Sequence, residues 1–157
     1  MADSAGRRPR VQGASGSRPE PGAGSLCDAD PVKIIGLGLD ATEISRIAAA
    51  LERYGDRFLR RIYTEGEIAY CRRKHDPSPS LAARFAAKEA AMKALGTGAS
   101  RGVYWTGIEV VRHHGPPHLE FHGGAARRCE QLGATRALVT LTHARDLAIA
   151  HVMLVAD

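Results

Sequence analysis

Four residues of one alanine-rich run, Arg84, Lys88, Glu89 and Lys93, place one carboxylate and three cations within less than three helical turns. Phosphate chemistry with magnesium uses that mixture: a hard oxygen ligand for the metal and fixed positive charge for the phosphates. A second carboxylate, Asp40, follows Gly36-Leu37-Gly38. Magnesium takes one or two protein carboxylates and completes its shell with water and substrate phosphate. Asp40 and Glu89 would suffice if the segments that carry them meet. Each residue also has a plainer reading. Asp40 suits a helix cap. Glu89 and Lys93 are an i,i+4 pair, worth a few tenths of a kcal/mol on a solvated face. Against that, Phe85, Glu89 and Met92 share a face, and a half-buried carboxylate needs a cation or a metal. His143 ends Thr140-Leu141-Thr142-His143, and nothing in the sequence fixes a partner for it.

The elements that must position these residues follow from periodicity. Residues 32–37 predict a strand ended by Gly36 and Gly38. A helix over 42–54 places Ile44, Ile47, Ala48, Leu51 and Tyr54 on one face and stops at Gly55. Thr64 and Glu67 have capping-box spacing, which predicts a second helix from Glu65 to about Lys74. Asp76-Pro77-Ser78-Pro79 is a loop, and the alanine-rich helix runs from 81 to 95, with Ser80 at its start and Gly96 beyond its end. A strand over 105–112, a turn at 115–117 and a paired strand over 118–121 come next. A short helix over 124–132 is closed by Gly133, and strands over 136–142 and 147–155 form a hairpin. Strands and helices segregated in this way predict an α+β domain with a largely antiparallel sheet.

Composition bounds the rest. Residues 1–31 are rich in Pro, Gly and Ser, lack apolar periodicity and read as a disordered extension, leaving 32–157 as one domain. Their four arginines are balanced by four acids, so the net charge of +5 belongs to the domain. They contain neither a secretory apolar core nor the acid-poor composition of a transit peptide. No apolar run is long enough to span a membrane, and none is expected as a partner. Cys27, Cys71 and Cys129 form no Cys-x-x-Cys pair, which fits a reducing cytoplasm and neither a zinc site nor a disulfide framework.

Between Arg46 and Lys74 eight Lys/Arg face four acids. Arg46 and Arg53 lie two turns apart on one side of the first helix. The stripe reads either as a solvated face or as a docking surface for an acidic helix or nucleic acid. Few aromatics are available to stack bases, which weighs against nucleic acid.

Taken in order, Gly36-Leu37-Gly38-Leu39-Asp40 with Glu43 and Arg46, Arg84-Phe85-Ala86-Ala87-Lys88-Glu89-Ala90 with Lys93-Ala94-Leu95-Gly96-Thr97-Gly98, Trp105 with Ile108-Glu109-Val110, and Thr140-Leu141-Thr142-His143 resemble the holo-(acyl-carrier-protein) synthases, the short bacterial type of 4'-phosphopantetheinyl transferase. The resemblance spans about residues 33–155. It implies transfer of the phosphopantetheine arm of coenzyme A to a serine of apo acyl-carrier protein, leaving adenosine 3',5'-bisphosphate. It implies magnesium bound by Asp40 and Glu89, with Lys93 beside them in the catalytic set. Arg84, Lys88, Lys93 and His143 are implied around the coenzyme A phosphates and nucleotide. Arg46, Arg53, Arg57 and Phe58 are implied to dock the acidic carrier, and the chain to form a homotrimer with sites at subunit contacts. The base for the serine proton is then a coordinated water or Glu89 acting through one. Two positions depart from the family pattern: Gly107 replaces an acidic residue, and Thr140 replaces a serine. A non-catalytic module that binds carrier protein or nucleic acid through the basic helix is the competing expectation.

Overall fold

The computed structural model describes residues 32–112 and 114–157, so the extension expected over 1–31 lies outside the described residues. The domain is α+β, as expected. Strand β1 (Lys33–Glu43) leads to four helices: α1 (Ile44–Tyr54), α2 (Asp56–Ile62), α3 (Glu65–Arg72) and α4 (Ser78–Leu95). A 3-10 turn (Trp105–Gly107) precedes strands β2 (Ile108–Val111) and β3 (His118–Phe121), then α5 (Gly123–Leu132) and the hairpin β4 (Arg136–Ala144) and β5 (Leu147–Ala156). The main sheet has the order β1-β5-β4, and β2-β3 is a separate ribbon; both are antiparallel.

Gly36 and Gly38 do not end the first strand. They lie on the face that packs on α4, and a Cβ on either would overlap a backbone carbonyl of that helix, Ala94 at Gly36 and Ala90 at Gly38. The glycines are therefore what lets β1 continue while its backbone touches the helix. β1 stays paired with β5 through Asp40↔Ala150 to Glu43↔Leu147. Helix α1 consequently starts at Ile44 rather than 42, and Asp40 is a strand residue, not its cap.

Residues 56–62, left without an element by the sequence pattern, form α2. Gly55 turns the chain with φ of 51°, and Leu59 and Ile62 bury the new helix's inner side. Seven residues offer too few turns for a periodic signal. Helix α3 begins with the expected capping box, Thr64 with Glu67, but stops at Arg72. Helix α4 starts at Ser78, two residues before the cap expected at Ser80, with Pro79 in its first turn. The stretch 105–107 winds into the 3-10 turn, so the strand expected from Trp105 begins only at Ile108.

Helix α4 is the centre of the domain. Ala86, Ala87, Ala90 and Ala91 are fully buried, and small side chains are what a helix needs when β1 lies against it. One core joins α4 to β2, β5 and α5; a second joins the start of α4 to α1, α2 and α3, and Trp105 packs against both.

Candidate functional site

The crossing of β1 over α4 brings the predicted carboxylates to one face of the sheet. Asp40 follows Gly38 by two residues and so points to the same side, toward α4. Lys93 does not pair with Glu89. Its ammonium instead donates to Asp40 Oδ1 at 2.9 Å and to the Leu39 carbonyl at 2.8 Å. Thr42 Oγ1 donates to Asp40 Oδ2 at 3.0 Å. Glu89, one turn before Lys93, is half-buried. Its Oε1 accepts from the Trp105 indole Nε1 at 2.5 Å. Among the described residues its Oε2 has no hydrogen-bond or ion-pair partner. These are hard oxygen donors, one held by a lysine and a threonine, the other half-buried with no cation on it. That donor set fits magnesium, which the two carboxylates would hold.

Lys88 corrects the expectation that it meets coenzyme A phosphates. Its side chain is fully buried and pairs with Glu67 Oε2 at 2.7 Å. The same ammonium donates to the carbonyls of Trp105, at 2.9 Å, and Ile108. Burial pushes its pKa down from the ordinary lysine value, and Glu67 opposes the shift. Glu67 closes the network by accepting from Val110 N–H at 3.0 Å and Thr64 N–H at 3.0 Å. The acid that sequence spacing marked only as a cap is thus also the counter-ion of Lys88.

Arg84 and His143 share a cleft of roughly 300 Å³, lined also by Tyr70, Ser80, Arg112 and Thr142. The Arg84 guanidinium lies 4.2 Å from the centre of the Tyr70 ring and donates from Nη1 to the Ser80 carbonyl at 3.4 Å. The residue is 5% exposed, its Nε is buried without a hydrogen-bond partner, and it has no carboxylate partner among the described residues. A buried, unpaired guanidinium in a cleft is suited to an anion. Tyr70 and Arg112 were not singled out in the sequence, since no local pattern links α3 and the end of β2 to Arg84. The cleft and Asp40 lie apart. Arg84 and Lys93 are separated by about 13 Å along α4, and the cleft opens at β4 while Asp40 is on β1, the opposite edge of the sheet.

Arg46 and Arg53 are exposed on α1, as predicted, and the Arg53 guanidinium stacks 5.1 Å from the Tyr54 ring centre. Arg57 and Phe58 belong to α2, beyond the Gly55 turn. With Tyr54, Arg61 and Ile62 they line a groove of roughly 420 Å³, and Phe58 meets Tyr63 edge-on. A further group, Glu109, Glu120 and His122, has donor atoms within 4.8 Å of one another on the β2-β3 ribbon and includes none of the predicted site residues. His122 Nε2 lies 3.4 Å from Glu109 Oε2, and Thr64 Oγ1 donates to Glu109 Oε1 at 2.8 Å.

Among the described residues no helix is long and apolar enough to cross a membrane. Residues 36–151 match the 4'-phosphopantetheinyl transferase superfamily. The chain is 51% identical over 122 residues to the holo-(acyl-carrier-protein) synthase of Solibacter usitatus, covering 77% of this chain and 98% of that protein. The crystal structure of the synthase from Neisseria meningitidis superposes with a TM-score of 0.71 at 30% identity, covering 77% of this chain and 98% of the other. The Helicobacter pylori synthase in complex with coenzyme A gives 0.67 at 27% identity, covering 75% and 98%. With the Gly-x-Gly-x-Asp strand laid across the Arg84–Lys93 helix, these likenesses establish that the chain belongs to the 4'-phosphopantetheinyl transferase superfamily.

Proposed function

We propose that this chain is a holo-(acyl-carrier-protein) synthase, moving the 4'-phosphopantetheine arm of coenzyme A to a serine of apo acyl-carrier protein. The observation that carries the reading is the arming of one helix: among the described residues α4 holds a buried guanidinium with no carboxylate partner at Arg84, an uncommitted carboxylate oxygen at Glu89, and Lys93 reaching across to Asp40. In the reaction the serine hydroxyl gives its proton to a base and its oxygen bonds to the β-phosphorus, while the pyrophosphate bridge breaks, releasing adenosine 3',5'-bisphosphate. Asp40 and Glu89 would hold magnesium, which would supply Lewis acidity for the pyrophosphate. Lys93 fixes the Asp40 carboxylate and adds positive charge beside it. Arg84 binds a phosphate of the nucleotide portion in the cleft, and His143, exposed on the cleft wall, donates to the same portion. The exposed cations of α1 and α2, Arg46, Arg53 and Arg57, with the groove around Phe58, receive the acidic carrier.

A homotrimer completes the reading. The outer face of the main sheet exposes Leu37, Leu39 and Leu138, each about half-exposed or more. An apolar sheet face of that kind is suited to a second copy. Contact between copies also accounts for a cleft and the Asp40 carboxylate at opposite edges of one sheet. The family's chemistry, which uses coenzyme A and a carrier protein, supports a cytoplasmic enzyme.

The test is incubation with apo carrier protein, coenzyme A and magnesium, followed by intact mass. The expected result is addition of one phosphopantetheine to the carrier serine. No addition, with a carrier that a known transferase modifies, would refute the reading in favour of a binding module.

A further inference from the structure

Neighbouring residues of α4 grip the same aromatic residue. Lys88 donates to the Trp105 carbonyl at 2.9 Å, and Glu89 Oε1 accepts from the Trp105 indole at 2.5 Å. The first contact is fixed from behind. Lys88 is buried on Glu67, whose other oxygen is held by Val110 N–H, and Lys88 also donates to the Ile108 carbonyl. The 3-10 turn that carries the indole is thereby pinned on both sides by a buried ion pair. The indole itself packs against both cores of the domain, so its rotation is restricted as well. Its N–H is a donor only and has no other partner among the described residues.

We propose that Trp105 is a positioning residue for the metal-binding carboxylate: its indole N–H holds Glu89 Oε1 and leaves Oε2 as the ligand atom. The inference rests on the magnesium reading of Glu89 and goes beyond it. A glutamate on three rotatable bonds loses rotamer freedom when it binds a cation. Here that freedom is already removed by a neutral donor, which adds no charge to compete with the metal. Hydrogen bonds from such outer partners commonly change metal affinity by about 10–100-fold. The buried Lys88–Glu67 pair acts one step further out, by holding the turn.

The chain contains a single tryptophan, so the contact reports on itself. In the full-length protein, magnesium or manganese alone should change the tryptophan emission with saturation, and Glu89→Gln should abolish the response. Trp105→Phe keeps an aromatic ring, smaller than the indole, and removes the donor. Calorimetric titration with manganese should show an affinity lower by about 10-fold, while the thermal midpoint stays near the parent value. In turnover, the magnesium concentration for half-activation should rise, with the Michaelis constants for coenzyme A and carrier unchanged at saturating metal. If Glu89→Gln binds manganese as the parent does, the metal reading and this proposal both fall. If Glu89→Gln weakens binding and Trp105→Phe does not, only the positioning role falls. A Trp105→Phe protein that loses thermal stability together with all three kinetic constants would also overturn it, as a packing defect.

Discussion

Asp146 caps a helix that begins far from it in sequence. Its Oδ1 accepts from Ser45 N–H at 2.7 Å and its Oδ2 from the Ser45 hydroxyl at 2.6 Å, while its carbonyl accepts from Ile44 N–H at 2.9 Å. Helix α1 has no side-chain cap of its own from Glu43. The β4–β5 turn thus finishes the helix that bears Arg46 and Arg53, and the same hairpin carries His143.

Asp146→Ala removes that cap and should lower stability by about 1 kcal/mol, with Asp146→Asn recovering part of it. Urea unfolding followed by far-ultraviolet circular dichroism measures the loss. Because α1 is affected directly, the Michaelis constant for carrier should rise more than that for coenzyme A; the reverse order would detach the cap from docking.

Lys88→Met leaves Glu67 buried without its counter-ion and should destabilise the fold by about 3–5 kcal/mol. Replacing both partners, Glu67→Gln with Lys88→Met, should cost less than the sum of the single changes. At a temperature where the single variant is still folded, its Michaelis constant for coenzyme A should match the parent. A large rise confined to that constant would return Lys88 to the phosphates.

Gly38→Ala forces a methyl into the backbone carbonyl of Ala90. Overpacking against a backbone has no soft neighbour to yield, so a loss of about 1–3 kcal/mol is expected in place of the usual gain from replacing glycine. Thermal unfolding decides the sign.

Burial raises the pKa of the Cys71 thiol and of the Tyr63 phenol, whose hydroxyl donates to the Leu81 carbonyl at 3.0 Å. Both groups keep their protons longer folded than unfolded. Their contribution is complete below the unfolded values, 9.0 for the thiol and 10.0 for the phenol, and is lost as pH rises past them. Cys71→Ala lacks one of the two. The stability difference between parent and variant should therefore move against the parent as pH goes from neutral to about 10. A constant difference across that range would show that the thiol does not contribute.

Arg46→Glu and Arg53→Glu should raise the Michaelis constant for carrier, and added salt should shrink the difference from the parent. The constant for coenzyme A is the control; an effect on it alone would move these arginines away from docking.

Much of this molecule follows from residue order. Thr64 and Glu67 mark the start of α3, Gly133 the end of α5, and the apolar runs after residue 136 a hairpin, because caps and alternation act between neighbours in sequence. The Gly-x-Gly-x-Asp segment with the Phe-Ala-Ala-Lys-Glu-Ala run, in their order, was sufficient to recognise the family. Three things were decided only when distant segments packed. Gly36 and Gly38 read locally as a stop, yet contact with α4 makes them the middle of a strand. Lys93 is one turn from Glu89 but pairs with Asp40, since β1 brings a second carboxylate within reach. Lys88 and Arg84 are alike on paper as cations of one helix. Burial against Glu67 makes the first a structural ion pair, whereas the second, among the described residues, stacks on Tyr70 and pairs with no carboxylate. A charge shows its role only through its partner and its access to water, and both are properties of the packed chain.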